Sequence, residues 1–326
     1  MLPQASPGCG GYLLPRVPYL RLRFTLRALE PARLPLFKGS LLRGAFGHAL
    51  RRTVCSMGPA QPCPDCLLRR TCVNTRLFET LIEGEPPPFL RGLPTSPRPY
   101  VFEPATEARE LAPGDPLTFD LLLLGQAADL QAYALLAVER MARAGLGAGR
   151  FPFVLDRAET SVPGGWEEVY AEGRASSVLG TLPPLVPSDE PLPEGKAVLR
   201  FLTPTRLKVR GRLLEQPDFR TLIFFMLRRT LELSWFHVPG AEIDWSFRAL
   251  LDLASEVSTT ATDFRWRSWE RYSNRQSRKM EMGGFVGTLA IEGDLAPFAP
   301  LLRSAEVLHV GKGTTFGLGK VELNPG

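Results

Sequence analysis

Residues 19–27 read Tyr19-Leu20-Arg21-Leu22-Arg23-Phe24-Thr25-Leu26-Arg27. Leu20, Leu22, Phe24 and Leu26 alternate with Arg21, Arg23, Thr25 and Arg27. A period of two marks a strand with one buried face, and here the other face is basic. Downstream, residues 40–52 place Leu41, Leu42, Ala45, Phe46, Ala49 and Leu50 on one helical stripe, behind Ser40 as an N-cap. Strands are expected near 98–103 and 117–124, a helix over 128–144 and a strand over 151–159. A glycine run, Gly145-Leu146-Gly147-Ala148-Gly149, separates the last two. The order is β-α-β-β-α-β, that of a ferredoxin-like fold.

Residues 161–195 then turn rich in proline and glycine and read as a linker. Beyond them the same order returns. A strand or bent strand pair occupies 196–210, a strong helix 218–237 and a second helix 245–257. Paired strands follow at 262–272 and 285–292, then a helix over 297–308. A glycine loop, Gly311-Lys312-Gly313-Thr314-Thr315-Phe316-Gly317-Leu318-Gly319, precedes a closing strand at 320–323. The fold class is therefore α+β with two tandem ferredoxin-like domains. They span 17–160, with an irregular insertion at 53–97, and 196–326. The repetition is in element order, not in residue identity.

A chain of 326 residues suits two domains better than one core. Its 44% hydrophobic and 22% charged content is that of a globular protein. The net charge of +5 suits a polyanionic partner without requiring one. No apolar run reaches membrane-spanning length, and the first residues lack an apolar signal segment. Five cysteines, four of them clustered, do not make a disulfide scaffold at this size. A reducing cytoplasm is the expected compartment, with no membrane partner.

The clustered cysteines are Cys55, Cys63, Cys66 and Cys72, spaced C-x7-C-x2-C-x5-C. Four thiolates within 18 residues suit a closed tetrahedral zinc site, which would stabilise an insertion poor in apolar residues. An iron–sulfur cluster and unligated thiols are the alternatives. Cys9 stands apart. In 264–279, Arg265, Arg267, Arg271, Arg275, Arg278 and Lys279 face a single acid, Glu270, and interleave with Trp266, Trp269 and Tyr272. Arginines that pair phosphates beside rings that stack bases are an RNA-binding combination. The bland reading has core tryptophans and solvated arginines, and the expectation joins the two: core tryptophans, RNA-facing arginines. Arg206, Lys208, Arg210 and Arg212 form a second basic face. The glycine loop frees the backbone to approach a phosphate. It lacks the G-x-x-x-x-G-K-[ST] spacing of a nucleotide-triphosphate loop and precedes a strand instead of a helix.

Two ferredoxin-like folds with a glycine-rich loop before the final strand resemble the RAMP superfamily of CRISPR proteins. The nearest likeness is to the precursor-crRNA-processing endoribonucleases. It is carried by Met282-Gly283-Gly284-Phe285-Val286-Gly287, by His309 through Gly319, by Leu42-Arg43-Gly44-Ala45-Phe46-Gly47-His48-Ala49-Leu50-Arg51, and by the cysteine insertion. The resemblance implies RNA binding through Lys312, Gly313 and Thr314. It implies cleavage of repeat RNA by 2′-OH attack without a catalytic metal, leaving a 2′,3′-cyclic phosphate, with the product retained. In several members a first-helix histidine is the base, which points to His48 with Arg51 and Arg52 beside it. His48 reads equally as a helix-packing residue. His309 is the next choice for chemistry, Tyr19 is available, and His237 reads as a helix cap. The implied partners are CRISPR repeat RNA or crRNA and other Cas proteins of an effector complex. A non-catalytic subunit that holds crRNA is the rival reading, and a zinc-containing RNA-binding protein outside CRISPR is a third.

Overall fold

The computed structural model describes residues 6–9, 12–58, 60–192, 195–268, 270–273 and 278–325, with side chains at 12–58, 60–192, 195–268 and 282–324. The chain forms two compact units, one of Pro18–Leu185, the other of Val186–Gly326 with the chain start up to Val17.

The first unit opens with β1 (Tyr19–Ala28), whose Leu20, Leu22, Phe24, Leu26 and Ala28 are all buried. The alternation in the sequence is thus an alternation of faces. Helix α1 (Gly39–Val54) lays Leu42, Phe46, Ala49 and Leu50 on that core, and α2 (Gln131–Ala144) adds Ala134, Leu135, Val138 and Met141. Strands β2 (Tyr100–Pro104), β3 (Pro116–Leu124) and β4 (Phe153–Val162) complete the expected set. β1 pairs antiparallel with β3 from Tyr19↔Leu124 to Arg27↔Pro116, and with β4 on its other side. The order β4-β1-β3-β2 is the ferredoxin-like arrangement.

Residues 161–185 are not a linker. β4 runs on to Val162 and turns into β5 (Gly165–Ala171) and β6 (Arg174–Ala175), which widen the sheet to six strands. Tyr19 and Leu185 then exchange two backbone hydrogen bonds, both 2.8 Å. Proline and glycine here punctuate a meander, which a compositional reading cannot separate from a tether.

The insertion is anchored better than its composition suggests. Leu77 and Leu90 are fully buried, and Thr80 and Ser96 bond reciprocally, Thr80 Oγ1 to the Ser96 carbonyl at 2.9 Å and Ser96 Oγ to the Thr80 carbonyl at 3.2 Å. Phe78 stacks on Tyr100 with ring centroids 6.2 Å apart and lies against Gly47 of α1. A methyl group on Gly47 would collide with the Phe78 ring, whereas Gly44 has nothing within 4 Å of where its Cβ would be.

The second unit repeats the plan. β7 (Gly195–Thr205) is followed by a hairpin, β8 (Lys208–Val209) and β9 (Arg212–Leu213), then α3 (Phe219–His237). The expected strand over 196–210 is thus a long strand and a separate two-residue-turn hairpin. Arg210 and Gly211 take φ of 45° and 87° at its tip, the positive pair that tight hairpins require. Asp218 caps α3 by accepting from the Thr221 amide at 2.7 Å. The helix expected over 245–257 shortens to α4 (Arg248–Leu253), because β10 (Ser258–Arg267) begins early as an edge strand. β11 (Glu270–Ser273) pairs with β12 (Arg278–Glu281); β13 (Gly284–Gly293), α5 (Ala299–Leu308) and β14 (Val321–Pro325) follow. The order β10-β13-β7-β14 is again ferredoxin-like, so the α+β tandem is the observed fold. Among the described residues no helix is long and apolar enough to cross a membrane.

The two α1 glycines should respond oppositely to the same change. Gly44→Ala should stabilise the protein by about 1 kcal/mol, the helix-interior preference for alanine. Gly47→Ala should cost about 1–3 kcal/mol through overpacking against Phe78, which Tyr100 holds in place. Urea unfolding of both variants reads the two signs.

Candidate nucleic-acid interface

The glycine loop is shaped by how closely it lies on the end of β7 and the residue after it. Its glycines all take positive φ, at 85° for Gly311, 83° for Gly313, 84° for Gly317 and 73° for Gly319. Two of them also face a wall of backbone. A Cβ on Gly311 would stand 2.6 Å from the Arg206 carbonyl oxygen, and one on Gly319 would collide with the Val310 carbonyl. The contact is clamped by hydrogen bonds. The Lys312 amide donates to the Arg206 carbonyl at 3.0 Å, and the Gly319 amide to Pro204 at 3.2 Å. Thr203 Oγ1 donates to the Gly317 carbonyl at 2.8 Å and accepts from the Lys320 amide at 2.9 Å.

His309 belongs to this clamp. It ends α5 at a φ of 59°, is fully buried, and its Nδ1 lies 3.0 Å from the Leu318 carbonyl. A carbonyl only accepts, so Nδ1 carries the proton. The ring holds the loop closed and is not presented to an RNA. Thr314, read as an RNA contact, is also buried, at 5% exposure. Gly313 is half-buried under Leu318. The glycines serve close packing, a demand that a glycine-rich sequence cannot distinguish from phosphate cradling.

The clamp gathers cations. Lys312 is exposed on the loop; Lys208, Arg210 and Arg212 are exposed on the β8–β9 hairpin. Partial burial, then the charges of Lys208, Arg206 and Arg228, hold the Lys312 ammonium below the usual lysine range. Arg228 is the member that sequence reasoning missed. It sits on α3 and pairs with Glu232 at 2.8 Å, so it reads as an ordinary i,i+4 helix pair. Its neighbour Arg229 turns inward and donates from Nε to the Leu308 carbonyl at 3.3 Å, joining α3 to the end of α5 just before the loop. Burial pushes the Arg229 guanidinium down to about 10, so it is still a cation at neutral pH.

On β10, Arg265 and Arg267 are exposed, but Trp266 is not a core residue. It is 36% exposed at the end of an edge strand, and Phe264 fills the inner position against Phe285 with ring centroids 4.8 Å apart. Arg275, the side chain of Arg271, and those of Arg278, Lys279, Trp269 and Tyr272 lie outside the described residues.

In the first unit, His48 is exposed on α1 with Gly44 one turn before it and Arg52, also exposed, one turn after. Arg51 points elsewhere: its Nη2 donates to the Gln61 carbonyl at 2.8 Å. The helix position shared with His48 is a matter of spacing, but Arg51 is used to hold the insertion. Cys55, Cys66 and Cys72 line one open pocket with Tyr133. Cys63 accepts from Asn74 Nδ2 at 3.6 Å, and burial pushes its thiol up. Among the described residues no group of three or more His, Cys, Asp or Glu side chains is placed to hold a metal ion. The four thiols do not form a ligand set in this arrangement.

The family described as CRISPR-associated endoribonuclease Cas6 matches residues 199–321, the stretch that carries the clamped loop and its cations. The sequence match to the Cas6 family thus lies in the C-terminal part of the chain. The first unit also has a sequence counterpart, since the AF_1859_N N-terminal domain family matches residues 14–181. No curated protein sequence matches the chain. Among solved structures, a Cas6 product complex superposes with a TM-score of 0.56 at 19% identity, over 94% of this chain and 99% of that one. Thermus thermophilus Cas6 gives 0.52 at 17% identity, with the same coverage of 94% and 99%. A partial Cas6-RT-Cas1–Cas2 complex gives 0.54 at 12% identity, over 96% of this chain and 46% of that one. At these identities the likeness is one of fold. The family matched over 199–321 is described as one of endoribonucleases.

The arginine-lined face of β1 invites a reading as a polyanion surface, and the structure neutralises it. Arg23 grips Asp120 with Nε at 2.8 Å and Nη2 at 3.1 Å and lies 4.0 Å over the Trp166 ring. Arg21 bonds Glu103 at 3.0 Å and Asp120 at 3.2 Å, and Arg27 bonds Asp156 at 2.9 Å. Tyr19, at the start of this strand, has its hydroxyl pushed further up by burial and is a poor base.

His309→Ala should lower stability by about 2–4 kcal/mol, through the cavity and the orphaned Leu318 carbonyl. A thermal melt checks it, and a variant as stable as wild type would contradict the clamp.

Proposed function

We propose that this chain is a Cas6-family, metal-independent endoribonuclease that cleaves precursor crRNA within the CRISPR repeat and keeps the product bound. The observation that carries the reading is the gathering of Lys312, Lys208, Arg206 and Arg228 at the glycine loop, within the residues that match Cas6. Phosphate contacts dominate affinity for nucleic acid, and a clamped loop presents them at fixed positions. Arg265, Arg267, Arg271, Arg275, Lys208 and Arg210 extend the same role in this proposal, and Gly313 and Thr314 act by shaping the loop. The partners are repeat RNA, crRNA and other Cas proteins of an effector complex, in the cytoplasm of a prokaryote.

In the cleavage step the ribose 2′-oxygen attacks the adjacent phosphorus as His48 takes its proton. The P–O5′ bond breaks, an acid returns a proton to the leaving 5′-oxygen, and the products are a 2′,3′-cyclic phosphate and a 5′-OH. Arg52, exposed one turn beyond His48, neutralises the charge that grows on the phosphoryl oxygens. Arg51 has its guanidinium engaged at Gln61 and supports this arrangement from behind. One histidine and one arginine make a slow catalyst, which suffices when the product is retained.

The rival, a non-catalytic RAMP subunit that holds crRNA, is favoured by one observation: His237 and His309 are buried, so His48 is the single exposed histidine. Single-turnover cleavage of the cognate repeat RNA in EDTA separates the two. Cleavage by wild type, slowed about 10²–10⁴-fold in His48→Ala with binding kept, is the expected result. Tight binding without cleavage by wild type would establish the subunit instead.

For the insertion the proposal is a structural zinc ion on Cys55, Cys63, Cys66 and Cys72. Donor type, spacing and the pocket shared by three of the thiols support it, and ligation requires their side chains to turn toward one another. Elemental analysis of the purified protein should give about one zinc per chain. Stoichiometric iron, or no bound metal, would remove the zinc reading and leave the cleavage reading standing.

A further inference from the structure

Helix α3 has an inner and an outer face. Leu222, Ile223, Met226, Leu227, Thr230, Leu231 and Ser234 are buried inward. Outward, Phe225, Arg228, Glu232 and Trp235 follow at steps of three, four and three residues, which puts them on one stripe. Trp235 is 46% exposed, more than any other aromatic residue among those described. Phe225 is half-buried and meets Phe224 edge-on with centroids 5.5 Å apart. At 1.5 Å rise per residue the two outer rings stand about 15 Å apart along the helix, with Arg228 between them. An outward helix face is ordinarily charged or polar, so exposed rings on it ask for a partner.

The surroundings indicate which partner. Arg229 ties α3 to Leu308, just before the clamped loop, and the charge of Arg228 acts on Lys312 of that loop together with those of Lys208 and Arg206. Lysine is depleted in the centres of protein interfaces. Rings separated by a guanidinium and bordered by lysines are the combination that binds single-stranded nucleic acid, with cations on phosphates and bases on ring faces. Glu232, which holds Arg228 at 2.8 Å in the free protein, is an acceptor that an incoming phosphate replaces.

We propose that the outer face of α3 is a track for an unpaired segment of the bound RNA, with Arg228 on a phosphate and Phe225 and Trp235 stacking bases on either side. This rests on the reading of the chain as an RNA-binding Cas6-family protein, and it specifies single-stranded nucleotides as the element recognised there.

The test is fluorescence anisotropy with two labelled RNAs, the repeat alone and the repeat with single-stranded flanks. Wild type is compared with Trp235→Ala, Phe225→Leu and Arg228→Gln. Leucine keeps apolar bulk at position 225, and circular dichroism verifies that each variant is folded. Each ring variant should weaken binding of the flanked RNA roughly tenfold, the scale of one lost stacking contact. The repeat alone should bind them as it binds wild type. Arg228→Gln should reduce the slope of log affinity against log salt by about one. Trp235 emission should also change when flanked RNA is added, and this change should vanish in Trp235→Ala. If all three variants bind flanked RNA like wild type, the track is wrong, whether or not the ring variants alter self-association. If wild type binds neither RNA, it is the underlying RNA-binding reading that fails.

Discussion

The second unit depends on one close approach, that of the glycine loop to the backbone of 203–206. Side chains cannot enter this contact, because a Cβ on Gly311 would meet the Arg206 carbonyl at 2.6 Å. Positive φ at four glycines lets the loop follow the contour, and the Lys312 and Gly319 amides fasten it. The buried His309 ring closes it from the inside. The result of this packing is electrostatic. Lys312, Arg206 and Lys208 are brought together; burial first and their mutual repulsion second depress the Lys312 ammonium, and a phosphate would relieve the repulsion.

Much of the fold was legible, because both units are built by hydrophobic periodicity. The alternation in 19–27 gave its buried face directly, and the two β-α-β-β-α-β orders emerge as sheets β4-β1-β3-β2 and β10-β13-β7-β14. The misreadings fall where composition stands in for geometry. Proline and glycine in 161–185 mark turns between paired strands, and a tether has the same residues. Trp266 alternates like a core residue, but it lies at the end of an edge strand and stays 36% exposed.

Less of the interface could be read. Basic residues announce themselves, but their partners do not, so Arg21, Arg23 and Arg27 look like RNA ligands until Asp120, Glu103 and Asp156 appear across the sheet. Arg51 and Arg52 differ by one residue and by about 100° around the helix, enough to send one to Gln61 and the other to solvent. Gly44 and Gly47 look alike, yet only Gly47 is filled, by Phe78. Arg228 was hidden by its good helical pairing with Glu232. The available signal was the Arg228-Arg229 doublet in a helix otherwise rich in apolar residues.

The neutralised face of β1 bears on how the protein meets a polyanion. The chain's net charge is only +5. With three arginines of that strand held by acids, the field outside the first unit is weakened, and the surplus is left to surfaces such as the loop and the β8–β9 hairpin. A charge distribution of this kind acts as a compass instead of a glue. At physiological salt its reach is about 8 Å, so a polyanion is attracted where cations are gathered. A polyanion approaching the β1 face would meet Asp120 and Glu103 beside the arginines, which weakens its attraction there.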